Sequence, residues 1–155
     1  IIVTTSSNKE RLPNLVKVGP EIATVSMELI CLTGVTCDNS VLDDNRITIL
    51  TSKGTMRVIE SELHMSLNSK LYIVDNEQKL FDMFKKGRSN YLLTSVFLDE
   101  TFTKFKKENQ SVRLGSYSLY HHIHRSKVEI ADDLAKALRA NISMIQSFIK
   151  SPDLP

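Results

Sequence analysis

Arg46-Ile47-Thr48-Ile49-Leu50-Thr51-Ser52-Lys53-Gly54-Thr55 is the stretch on which the reading of this chain turns. Arg46–Leu50 is a short apolar, β-branched run of strand character. Thr51 to Thr55 then turn the chain into a helix that the pattern carries to about Ser66. The same cycle recurs downstream. Leu71–Val74 reads as the next strand. Asp75 and Gln78 have capping-box spacing and open a helix with Leu80, Phe81 and Phe84 on its inner face and Gly87 as its stop. Tyr91–Thr94 is a third strand, followed by a helix in which Leu98, Phe102 and Phe105 recur at i, i+4 and i+7. Strands alternating with helices of about ten residues predict βαβ units around a parallel sheet, an α/β fold.

The flanks extend this pattern. Val112–Leu119 is extended again, and the last element is the clearest. Ser126 and Glu129 predict a second capping box, and Ile130, Leu134, Leu138, Ile142 and Ile145 line one helical stripe to about Ile149, where Ser151-Pro152 ends it. Upstream, Ile1–Thr5 is a β-branched strand, Ser6–Leu15 a polar turn with a short helix, and Gly19-Pro20 a predicted break. Thr24–Thr33 is a long strand with Val25, Met27, Leu29 and Cys31 on one face, ended by Gly34. A buried parallel strand needs neighbours on both sides. The abrupt apolar start at Ile1 is therefore read as a strand whose preceding elements lie upstream. No internal repeat and no low-complexity segment interrupts the chain.

Composition narrows the function classes. With 20 basic and 18 acidic residues and no Trp, the chain gathers no one-signed face with stacking aromatics, which argues against a nucleic-acid partner. No apolar run approaches the ~20 residues that cross a bilayer, so contact with a membrane is expected to be peripheral at most. Ile1–Val3 runs directly into polar residues without the pattern of a secretory leader, as a mature or trimmed chain also would. Cys31 and Cys37 can pair if the chain turns at Gly34, or stay free in a reducing compartment; the sequence leaves both open.

Four passages, in order, resemble the type II periplasmic binding proteins, specifically the amino-acid-binding-like group (family 3) of ABC-transporter substrate-binding proteins. Ile1-Ile2-Val3-Thr4-Thr5-Ser6-Ser7-Asn8-Lys9-Glu10-Arg11 with Val18-Gly19-Pro20 looks like the lobe I strand, its Ser/Thr-rich turn, the following arginine and the approach to the hinge strand, with Asn8 where the family usually has Thr. Arg46-Ile47-Thr48-Ile49 through Gly54-Thr55 is similar to the motif that opens lobe II. Leu80 to Leu93 matches the helix, the Gly87-Arg88 turn and the strand after it, with Asn90 in the Asp position. Tyr120–Lys127 looks like the return to lobe I. The resemblance implies two lobes of parallel-rich sheets with flanking helices: residues 1–33 as part of lobe I and the hinge strand, 34–119 as lobe II, and 120–155 as the return hinge and a C-terminal helix packing on lobe I. The family's first two βα units have no counterpart, so lobe I is expected to be incomplete and open to self-association.

The implied function is binding of a small polar, carboxylate-bearing solute outside the cytoplasm, in the periplasm, for an ABC-type permease or a sensor, with no catalysis, cofactor or metal. An anion is best held by a guanidinium fork and by free N–H groups at a helix start. By resemblance, Arg11 clamps the ligand carboxylate and Ser6 and Thr55 assist, while Gly54 lets the backbone approach. Outside the resemblance, Arg11 reads as a solvated arginine and Gly54-Thr55 as an ordinary strand-to-helix turn. Where amino-acid binders of the family place an Asp for the ligand ammonium, this chain has Ser95. A hydroxyl does not offset a buried charge, so a ligand without that ammonium fits better. His121, His122 and His124 cluster without a carboxylate or Cys arranged to complete a metal site, and a polar hinge segment accounts for them. Two other functions use this fold: a dehydratase-like enzyme, for which no acid or base is evident, and the effector-binding half of a transcription regulator.

Overall fold

The computed structural model describes residues 2–5, 13–96, 105 and 107–150, without the side chains of 2–5 and 148–150. The chain packs as two units, Ser26–Ser116 and Ile1–Val25 with Tyr117–Pro155. Two long strands, β2 (Leu15–Cys31) and β6 (Gln110–His124), each contribute residues to both units.

The unit Ser26–Ser116 carries the pattern on which the sequence reading rests. Strands β3 (Thr48–Ser52), β4 (Lys70–Val74) and β5 (Tyr91–Val96) follow the sheet order β2-β5-β3-β4. The β3–β4 and β3–β5 pairs are parallel and the β2–β5 pair is antiparallel, so the sheet is mixed α/β rather than wholly parallel. Two side chains stitch the parallel pair at depth: the Thr51 hydroxyl donates to the Leu93 carbonyl at 2.9 Å and the Ser89 hydroxyl to that of Thr48 at 2.6 Å. Helix α2 (Glu77–Lys85) lays Leu80 and Phe84 on Ile30, Leu50, Val74, Leu92 and Val96. Phe105 meets Phe81 and Phe84 edge to face, the arrangement that aromatic quadrupoles favour. The expected helix through Leu98 and Phe102 lies outside the described residues.

In the other unit, β1 (Ile2–Thr5) pairs with β6 antiparallel, Ile2 opposite His122 and Thr5 opposite Leu119. This corrects the reading of β1 as a parallel strand. The last helix, α3 (Ala131–Lys150), buries Leu138 against Val18 and Ile123, with Leu134 and Ile145 packed at the margin. Met144 of this helix, and Val128 and Ile130 just before it, stay about half exposed.

Several local expectations shift. Gly19-Pro20 does not break the chain: Gly19 adopts φ +79°, which bends β2 without ending it, and the strand runs from Leu15 instead of Thr24. Asn76, rather than Asp75, caps α2, accepting from the Lys79 amide at 2.8 Å. The second capping box is replaced by a 3₁₀ segment, Arg125–Ile130, whose Ser126 amide is taken by the His124 ring. The helix after β3 is α-helical only over Lys53–Val58 (α1), then widens into a π turn over Ile59–Leu63. Cys31 and Cys37 are joined, their Cα atoms 5.8 Å apart, and Gly34 between them takes φ +91°. No helix among the described residues is long and apolar enough to cross a membrane.

Candidate functional site

In open α/β sheets, ligands collect at the carboxyl ends of the parallel strands, where strand-to-helix turns present free backbone groups. In this chain that end is formed by Ser52, the last residue of β3, and by Ser95 and Val96, which close β5. The register Thr51 opposite Leu93 brings both strand ends to the same edge.

The β3–α1 turn is built by its own residues. Ser52 sits at φ −101°, ψ 157°, the extended conformation of a helix N-cap, and its hydroxyl accepts from the Thr55 amide at 3.1 Å. The Ser52 and Thr55 hydroxyls share a second hydrogen bond at 3.0 Å, and both residues are buried. Thr55 is thus engaged in the cap of its own helix. The first-turn amides of Lys53 and Gly54 precede the helical ladder, so no carbonyl of α1 takes them. Both residues are exposed. Gly54 has an ordinary backbone conformation, and a Cβ there would meet nothing nearer than the Ser52 hydroxyl at 3.7 Å. Packing alone does not require a glycine at this position.

Ser95 is half-buried on β5, opposite Met27 of β2, and its carbonyl accepts from the Thr94 hydroxyl at 3.4 Å. Gly54, Thr55 and Ser95 therefore belong to one unit and one sheet edge. Ser6 and Arg11 lie outside the described residues.

A group the sequence reading passed over occupies the same edge. Glu28 of β2 stands opposite Thr94 and is 0% exposed, while the guanidinium of Arg113 on β6 approaches it with Nε 3.8 Å from Oε1. The sequence signal was present: a lone acid between Met27 and Leu29 in an apolar strand. The pattern of Val25, Met27, Leu29 and Cys31 on one face leaves Glu28 on the other; in the structure Ser26 to Cys31 are all buried, so both faces are covered.

The histidines divide by environment. His122 is buried, with Nδ1 3.1 Å from the Tyr120 carbonyl, and His124 is tied to Ser126. Neither ring nitrogen of His121 touches solvent or a hydrogen-bond partner among the described residues. Burial holds its pKa below the ordinary histidine value, and His122 acts in the same direction. Among the described residues no three His, Cys, Asp or Glu side chains are placed to hold a metal ion.

No protein-family model and no curated protein matches the chain. Solved structures do. The chain is similar to an ancestral amino acid-binding protein described as a precursor of cyclohexadienyl dehydratase, at 13% identity and TM-score 0.71, over 96% of this chain and 66% of that one. A solute receptor for L-cysteine from Neisseria gonorrhoeae matches at 14% identity and TM-score 0.65, over 96% and 59% of the two chains. The periplasmic VFT2 domain of BvgS from Bordetella pertussis matches at 12% and 0.60, over 96% and 66%. The chain thus spans less than two thirds of the length of these structures.

Proposed function

We propose that this chain, which has the fold of the type II periplasmic binding proteins, is part of an extracytoplasmic receptor for a small polar solute bearing a carboxylate, serving an ABC-type permease or a sensor. One observation carries the reading. On a fold shared with solute receptors, the β3–α1 turn offers, at the exposed residues Lys53 and Gly54, first-turn amides that no carbonyl of α1 takes, at the carboxyl end of the parallel strands. A glycine that the packing does not demand, set beside those donors, supports a close backbone approach by an anionic group. Arg11 is the proposed guanidinium partner of the carboxylate, assisted by Ser6, five residues earlier in the sequence; Thr55 orders the turn and Ser95 adds a hydroxyl on the same edge. Since Ser95 carries no charge, the favoured solute lacks an ammonium group at that point.

A thermal-shift screen of monocarboxylates, dicarboxylates, amino acids and sugars tests the proposal. A true ligand at 100 times its dissociation constant adds about 2.7 kcal/mol of stability. A carboxylate that stabilises the protein and is recovered unchanged supports a receptor. Recovery of a dehydrated product would replace this reading with the lyase that the first neighbour's name suggests, and a screen in which only sugars act would remove the carboxylate.

A further inference from the structure

We infer that Arg113 is an anion-binding residue of the unit Ser26–Ser116, and that buried Glu28 is the positioning residue that aims its guanidinium. A carboxylate placed in the middle of an apolar strand at 0% exposure carries a desolvation cost of several kcal/mol that an apolar residue would avoid. Its cationic neighbour is not buried with it: the Arg113 side chain is 57% exposed. The contact is made by Nε, the nitrogen nearest the chain, at 3.8 Å, and the terminal NH₂ groups are the ones that fork around a carboxylate.

Position gives the second line of argument. Glu28 is opposite Thr94 and Ser26 is opposite Val96, so the ion pair stands beside the last turn of β5. This is the carboxyl end of the parallel strands, the edge that also holds Ser52 and Gly54. Gly115 shares the strand face of Arg113, two residues on, and Leu63 fills the space that a side chain there would occupy, 2.7 Å from an added Cβ. The guanidinium thus stands against a fixed buried charge, a setting that limits its rotamers before any ligand arrives. The inference rests on the solute-receptor reading only for the ligand class, a carboxylate.

The test follows the Arg113 Nε–Hε resonance in ¹⁵N spectra while sodium succinate is added at constant ionic strength, with exposed Arg57 as internal control. A saturable shift at Arg113 and a small linear one at Arg57 are expected. Arg113→Lys, which keeps the charge and loses the fork, weakens binding about tenfold, the equivalent of 1.4 kcal/mol. Glu28→Gln discriminates further. If Glu28 only cancelled charge, the variant would bind succinate more tightly; positioning predicts weaker binding. Linear, matching shifts at both arginines, or tighter binding by Glu28→Gln, overturns the inference. Saturation at Arg113 while the Lys53 and Gly54 amides stay unmoved under every screened solute would leave this site standing and remove the receptor reading. A stabilising solute that leaves Arg113 unmoved would do the reverse.

Discussion

At residue 54 the fold and the proposed function make different demands, and this separates them by experiment. A methyl group fits the open space there and the backbone is ordinary, so Gly54→Ala should leave stability unchanged or raise it by about 0.5–1 kcal/mol in denaturant unfolding. Its affinity for the solute should fall; an unaltered affinity would remove Gly54 from the site. Ser52→Ala breaks the cap and should cost about 1 kcal/mol. His121 predicts a pH dependence. Its folded-state pKa lies below the ordinary 6.5, so the unfolded chain binds more protons beneath that value, and stability falls as the pH drops from 7 towards 5. Unfolding curves of His121→Gln should show a shallower fall. Residue identity made the turn at Gly54-Thr55 legible in the sequence, because a strand-to-helix turn is coded locally. Glu28 escaped notice because its burial depends on β5 and β6, which sequence periodicity does not place beside it.

At the scale of elements, strands β3, β4 and β5 and helix α2 were legible because each is short and punctuated. Lys70–Val74 and Glu77–Lys85 fall within a residue or two of their predicted bounds. The long strands were not, since β2 passes through Gly19-Pro20, where local chemistry argues for a stop and pairing with neighbouring strands overrides it. The end of β2 carries an element-scale prediction. The Cys31–Cys37 bridge closes a loop of sequence separation six, which should stabilise the protein by about 2 kcal/mol on loop-closure grounds. Reduction should lower the unfolding midpoint accordingly while the native spectrum persists; an unchanged midpoint would mean that the Gly34 turn holds this geometry unaided.

For the molecule as a whole, the fold class and its likeness to two-lobed solute receptors were legible because the motifs occur in order, even at identities of 11–15% to solved relatives. The ligand was not, since a fold hosts many ligands and specificity rests on a few side chains. The unit containing α3 leaves Val128, Ile130 and Met144 about half exposed. The most direct measurement for the central proposal is amide chemical-shift mapping with the stabilising carboxylate found in the thermal screen. The account predicts saturable shifts at Lys53, Gly54 and Thr55, with one common dissociation constant. Shifts confined to other elements, with these amides unmoved at saturation, would contradict it.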